Sequence, residues 1–271
     1  MKNRGTFYVL ISAIFFSIGG VLIKLIPWGS LAINGMRSII AIVVLAIYLV
    51  ATKHKFVWNK SVLFGGLMNM FTGLTFVVAA KLTTAANAIV LQFTAPIFII
   101  LFLWWFFHTK PQRDEIITCI VAFAGIICFF FDQLNADGMV GNFFAILSGI
   151  CYAMVFLIKK MPNVDLESSL LVSFVLGAVI GVPFIFKEHN FSIPVIAALA
   201  ALGIVQFGLA YILLYTGLKT VNPVSASLIS MIEPILNPVI VAVVCKEMIG
   251  STAFLGAILV IGASTVYNLK H

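Results

Sequence analysis

The sequence predicts an all-α polytopic membrane protein of ten transmembrane helices, built as two inverted five-helix repeats, and three observations carry that expectation. The first is composition. Of 271 residues, 62% are hydrophobic and 9% charged, with a mean hydropathy of +1.18, which leaves too little polar surface to cover a water-soluble globule. The second is spacing: apolar blocks of about 20 residues, the length that crosses the hydrocarbon of a bilayer, alternate with short segments rich in Lys, Asn, Asp, Gly and Pro. The third is an internal match between the two halves of the chain.

The blocks place spans near 5–26, 31–51, 61–80, 84–107 and 114–131, then near 139–159, 167–186, 194–216, 222–244 and 250–269. Lys2 and Arg4 ahead of the first block resemble the start of a signal peptide, but the run is long and no A-x-A pattern ends it, so it reads as a retained span. With both termini in the cytoplasm, the inner side receives Lys2, Arg4, Lys53, Lys55, Lys60, Lys110, Arg113, Lys159, Lys160, Lys219 and Lys270. The outer side receives only Lys24, Lys81, Lys187 and Lys246. The positive-inside rule therefore selects a multi-pass protein of the cell membrane with cytoplasmic termini and an external loop at 181–192.

The halves match at a shift of 138 residues, pairing Gly65 with Gly203, Lys81 with Lys219, Ala88 with Ala226 and Pro96 with Pro234. At a shift of 136, Gly5, Phe7, Ser12, Ile14 and Lys24 meet Gly141, Phe143, Ser148, Ile150 and Lys160. Repeats are therefore expected at 1–134 and 135–271. An odd number of spans per unit forces the second copy to enter from the opposite side, the inverted architecture of many secondary transporters.

Several function classes are disfavoured. A net charge of +7 is scattered between apolar blocks and forms no dense patch, so nucleic acid is not an expected partner. Cys119, Cys128, Cys151 and Cys245 lie in apolar runs without metal-ligand spacing; they read as packing residues, with no metal or cofactor expected. No GxxxxGK[ST] loop is present for an ATP-driven pump, and no HExxH, nucleophile elbow or paired carboxylates for a membrane enzyme. A channel or a non-transporting scaffold needs no motif and stays as the alternative to transport.

The stretch Gln206-Phe-Gly-Leu-Ala-Tyr-Ile-Leu-Leu-Tyr-Thr-Gly-Leu-Lys219, followed by Ala226-Ser-Leu-Ile-Ser-Met-Ile-Glu-Pro234 and Lys246-Glu247, resembles the EamA-type family of the drug/metabolite transporter superfamily. Arg37, the Ala88 to Pro96 segment and Gly125 are weaker counterparts in the first half, where His108-Thr109 stands in place of the Gly-Glu pair often seen after span four. The resemblance implies a ten-helix fold with a central cavity lined mainly by spans one, three, four, six, eight and nine. It also implies secondary or facilitative transport of small metabolites such as amino acids, often as export. The expected partners are a small-molecule substrate, the lipid bilayer and, as a candidate, protons, for a monomer or weak homodimer.

Glu233 is the carboxylate in the middle of a predicted span, where an ionisable group is costly unless it faces water, a partner or a proton. Ser230 and Asn237, at i−3 and i+4, extend it into one polar stripe. Arg37 lies deep enough in span two to need a partner, either a neighbour or a substrate carboxylate. Asn69, Thr72, Asn87, Gln92, Gln206, Tyr211 and Tyr215 are further cavity candidates. Pro96 and Pro234 remove the donors that would bond the carbonyls of Gln92 and Ser230, marking hinges or binding-site kinks at matching depths. Lys24 and Lys160 end helical stripes and are expected to guard opposite mouths, while Trp28, Trp58, Trp104 and Trp105 read as an interfacial belt.

Overall fold

A computed structural model of the chain describes residues 2–129, 131, 138–236 and 251–270. In chain order its helices are α1 (Lys2–Phe16), α2 (Gly19–Leu25), α3 (Ser30–Ala51), α4 (Lys60–Leu82), α5 (Ala85–Gln92), α6 (Ala95–Trp105) and α7 (Arg113–Phe129). There follow α8 (Met139–Leu157), α9 (Leu166–Ile185), α10 (Ile193–Ala201), α11 (Ala210–Leu218), α12 (Pro223–Ser230) and α13 (Ser251–Lys270). Among the described residues seven helical stretches are long and apolar enough to cross a membrane, and Pro223–Leu236 and Phe254–Lys270 are shorter apolar helices. Helix is the element expected here, because lipid offers no water to an unpaired backbone group.

Several spans differ from the uninterrupted rods that hydropathy predicts. Span one turns at Ser17 and Ile18 between α1 and α2. Span four breaks at Phe93 and Thr94, and span nine at Met231 and Ile232, again 138 residues on. Pro96 and Pro234 therefore sit in the first turn of a new helical segment instead of bending a continuous helix, which is where a residue without an N–H fits best. In span eight a π-helical stretch, Leu202–Leu209, joins α10 to α11.

Close approach is set by small residues. At the crossing of α3 and α9, a Cβ on Gly35 would come within 2.6 Å of the Gly181 Cα, so the two backbones touch and only glycine fits on either side. The other principal pairings are α4 with α8 and with α9, α1 with α11, and α7 with α13. In the last pair Gly125 lies against Gly256, whereas among the described residues nothing lies within 4 Å of a Cβ built on Gly262.

The segments between helices gather on two faces. On one, His54 meets Asp165, Asn59 donates to the Asn163 carbonyl, Lys160 lies over the Phe107 ring, and Lys270 reaches Asp114 at 3.6 Å. Residues 2 and 270 are thus on the same face, with most of the basic side chains. On the other face Trp28 donates from Nε1 to the Asn190 carbonyl and the Gly29 N–H to Glu188. Trp28 is accordingly buried, and only Trp58, Trp104 and Trp105 are exposed as an interfacial belt would be.

Helix starts are capped at the faces by Asn59, Thr84, Asp165 and Asn222, each accepting from a backbone N–H three residues on. Burial alone would raise the Asp165 pKa, but the Ser168 hydroxyl and N–H and the His54 ring outweigh it and hold the carboxyl below its ordinary value of 3.8. A lowered carboxylate pKa contributes stability above the unfolded value, lost as pH falls through the folded one. Asp165→Ala should thus destabilise the detergent-solubilised protein by about 1 kcal/mol. Thermal unfolding should show this deficit from neutral pH down into the carboxylate range, vanishing only below it.

Candidate functional site

One cavity in the middle of the molecule collects charged and polar side chains from most of the spans. Arg37 enters it from α3, Thr72, Gly73 and Phe76 from α4, and Gln92 from the end of α5. Tyr152 comes from α8, Gln206 and Phe207 from the π-helical stretch, Tyr211 from α11, Phe16 from α1, and Glu233 from just past the break in span nine. Its volume, about 20 Å³, admits roughly one water. Sites for drug-sized ligands run to hundreds of Å³, so the walls are closed on one another.

Arg37 is the largest charged side chain in the core, 1% exposed. Its Nη2 donates to the Gly73 carbonyl at 2.7 Å and to Asn34 Oδ1 at 3.0 Å, and its Cζ stands 4.1 Å from the centroid of the Phe207 ring. A carbonyl, an amide oxygen and a ring face suit a guanidinium, which is weakly hydrated and planar. They do not neutralise it, however, and among the described residues Nε has no partner. Gly73 is required for this arrangement, since a Cβ there would lie 2.7 Å from Nη2.

Glu233 supplies the carboxylate of the cavity, and no ion pair joins it to Arg37 among the described residues. Gln92 is held by its Nε2, which donates to Ser148 Oγ at 2.8 Å, while the Ser148 hydroxyl donates to the Thr72 carbonyl, tying spans three, four and six at one level. Gln206 packs over Gly19, just beyond the turn in span one, and its Oε1 is buried without a partner among the described residues. Around them Phe16, Phe207 and Tyr211 interlock edge to face, with ring centroids 4.9 and 5.2 Å apart.

The structure thus brings together Arg37, Thr72, Gln92, Gln206, Tyr211 and Glu233 from the sequence candidates. It does not place all of them there. Asn69 bridges α4 to α9 through Ser173 Oγ, Asn87 lies at the α4–α5 connection beside Thr83, and Ser230 returns its hydroxyl to the Ala226 carbonyl. Tyr215 is buried behind the cavity next to Tyr211, its hydroxyl unpartnered among the described residues. Asn237, Cys245, Lys246 and Glu247 lie outside the described residues.

Residues that sequence reasoning missed include Asn34, Gly73 and Phe207, which seat Arg37, and the cavity-lining Phe16, Phe76 and Tyr152. Their only signal is Gly203 and Gly208 flanking Phe207, a weak pointer to π-helical irregularity. Also unforeseen is a basin at the face bearing the chain ends, where Asp165 is engaged by His54 and Glu167 by Lys219 beside Lys159 and Lys160.

Arg37→Met leaves the Asn34 oxygen buried without its donor, removes the second donor from the helix-bonded Gly73 carbonyl, and should cost about 1–3 kcal/mol of stability. Thermal unfolding in detergent checks it; a melting temperature equal to the parent's would show that the guanidinium is not anchored by these bonds.

The EamA-like transporter family matches the chain twice, over residues 3–131 and 139–269. An uncharacterized transporter of Bacillus subtilis (strain 168), YetK, is 24% identical over 272 residues, spanning 93% of this chain and 82% of that protein. Solute carrier family 35 member G1 of Mus musculus is 26% identical over 209 residues, covering 70% of this chain and 57% of the carrier. A solved crystal structure superposes over 100% of this chain and 99% of its own with a TM-score of 0.84 at 16% identity, a likeness of fold. Two family matches that together span nearly the whole chain establish that it belongs to the EamA-like transporter family and is a multi-pass membrane transporter.

Proposed function

We propose that this transporter carries small metabolites bearing both an anionic and a cationic group, of the kind amino acids are, and exports them across the cell membrane by alternating access. One observation carries the reading: a guanidinium and a carboxylate, Arg37 and Glu233, line a single buried cavity without pairing with each other. Uncompensated charges at membrane depth are costly and persist where a pathway uses them. Arg37 would take the substrate's anionic group and Glu233 its cationic group or a coupling proton.

Residues 1–134 and 135–271 are read as inverted repeats of five spans each. The pairings support it: α3 with α9 and α7 with α13 would sit on an axis in the membrane plane, which would exchange α4–α8 with α11–α1. A cavity narrowed to about 20 Å³ suits a conformation open to neither side. The breaks next to Pro96 and Pro234 are then the hinges on which each half opens. The basic face is assigned to the cytoplasm.

The test is flux in proteoliposomes with amino acids as probes and pH gradients imposed. Glu233→Gln should abolish pH-driven accumulation and spare downhill exchange if Glu233 carries the proton, or weaken both by about tenfold, the equivalent of about 1.4 kcal/mol, if it binds substrate. Unchanged kinetics at every pH would remove Glu233 from the path. In the same assay the double variant Pro96→Ala, Pro234→Ala should slow exchange in both directions, and normal rates would leave the prolines as packing residues only.

Orientation is checked in intact cells. A cysteine introduced by Phe186→Cys, at an exposed position on the face opposite the chain ends, should react with an impermeant maleimide. Labelling only after permeabilisation would reverse the assignment.

A further inference from the structure

The two faces of the molecule are each closed by the tip of a helical hairpin, and the two tips are related by the repeat. One tip is the turn at Thr83 and Thr84 between α4 and α5; the other is the turn at Val221 and Asn222 between α11 and α12. Thr83 and Val221 stand 138 positions apart, as do the capping residues Thr84 and Asn222. Each tip is gripped from two sides by the same two spans, with their ends exchanged.

At the face opposite the chain ends, Lys24 at the end of span one donates from Nζ to the Thr83 carbonyl at 3.1 Å. Lys81 answers from beside the tip by donating to the Ile26 carbonyl at 2.6 Å. On the far side of the tip lies the start of α8, where Gly141 packs so closely that a Cβ would fall 2.7 Å from the Leu82 carbonyl carbon and the Thr83 nitrogen. The Thr83 hydroxyl donates to Asn142 Oδ1 at 2.8 Å.

At the face with the chain ends, Lys159 at the end of span six donates to the Val221 carbonyl. Gly5 at the start of α1 packs against Thr220 and Val221, where a Cβ would overlap Thr220 and come within 2.9 Å of the Val221 side chain. Gly5 and Gly141 are repeat partners at a shift of 136. The sequence match pairs Lys24 with Lys160, but Lys160 is turned toward Phe107 and Lys159 makes the contact, because span six ends in a tight 3-10 turn, Ile158–Lys160. The faces also differ: Lys219, the repeat partner of Lys81, pairs with Glu167 of α9 instead of a carbonyl.

Between each tip and the break in its span lies a helix of eight residues, α5 in one half and α12 in the other. A tip released from its lysine can therefore swing on a short rigid lever about Phe93–Thr94 or Met231–Ile232. Both tips are seated here, and the cavity between them is small.

We propose that the Thr83 and Val221 tips are the two gates of the transport path, latched shut by Lys24 and Lys159 respectively, and that releasing one latch tightens the other. The proposal rests on the alternating-access reading above. What it adds is the identity of the moving parts and of the bonds that hold them. A charge-assisted bond to a carbonyl is strong enough to keep a gate shut and, being a single contact at the aqueous edge, easily exchanged for water. The glycine seats let the tip close without a gap.

The experiment is hydrogen–deuterium exchange of the full-length protein in lipid nanodiscs, with no substrate. Lys24→Met should speed exchange of the 82–88 amides by about tenfold, the expected effect of losing one charge-assisted bond, and slow exchange of the 220–226 amides. Lys159→Met should do the reverse. Gly141→Val and Gly5→Val, as wedges at the seats, should move exchange in the same sense as Lys24→Met and Lys159→Met respectively; the lysine variants, which alter no packing, decide the matter where a wedge fails to fold. A rise confined to the mutated tip, with no response at the other, makes the lysines local anchors and overturns the gate. So does no change at either tip. A reciprocal response in a protein that moves no probe in proteoliposomes upholds the latches and sinks the transport reading. Flux without the reciprocal response does the opposite.

Discussion

A backbone that leaves the α-helix inside a membrane must find its hydrogen bonds from protein or from water in a cavity, because lipid supplies none. The irregular stretches of this chain obey that constraint together. The turn at Ser17–Ile18, the breaks at Phe93–Thr94 and Met231–Ile232, and the π-helical Leu202–Leu209 all lie in spans that line the same small cavity. Freed groups are met locally: the Leu91 carbonyl accepts from both the Thr94 N–H and the Thr94 hydroxyl. The breaks and the cavity are in this sense one feature, since neither is tolerable in hydrocarbon without the other.

Arg37 depends on the same arrangement. Its guanidinium is seated by a backbone carbonyl that only a glycine at 73 leaves approachable and by a ring, Phe207, carried on the π-helical stretch. A regular helix through 202–209 would turn that ring to a different bearing. The structural irregularity thus places the one cation that the described residues bring to the cavity, and the cation in turn gives the cavity its chemistry. Glu233 occupies the corresponding transition in span nine, where the helix restarts beside Pro234.

Rigidity and motion are divided along the fold. The α3–α9 crossing at Gly35 and Gly181 and the α7–α13 contact at Gly125 and Gly256 have backbones in touch, leaving no room for sliding. The hairpin tips are held by lysines and a few side-chain bonds at the aqueous faces, contacts of the class that opens most readily. On the alternating-access reading proposed above, such a division would supply a fixed frame beside two tips that open.

What the sequence determined by itself was everything that depends on average polarity and on chain order: helices, lipid, the clustering of Lys and Arg on one face, the repeat offset and the pairing of Pro96 with Pro234. Those properties are written in single residues or in spacings, so no neighbour in space is needed to read them. Arg37 and Glu233 were legible for the same reason, as charges where none belong. The tertiary structure decided which polar residues meet. Asn69, Ser230 and Tyr215 have the same chemistry as Gln92, Thr72 and Tyr211, and only the rotation of each helix about its axis separates those facing Ser173, Ala226 and the core from those facing the cavity. It also turned Lys159 rather than Lys160 toward the hairpin tip, through a 3-10 turn whose angle per residue the helical stripe does not encode.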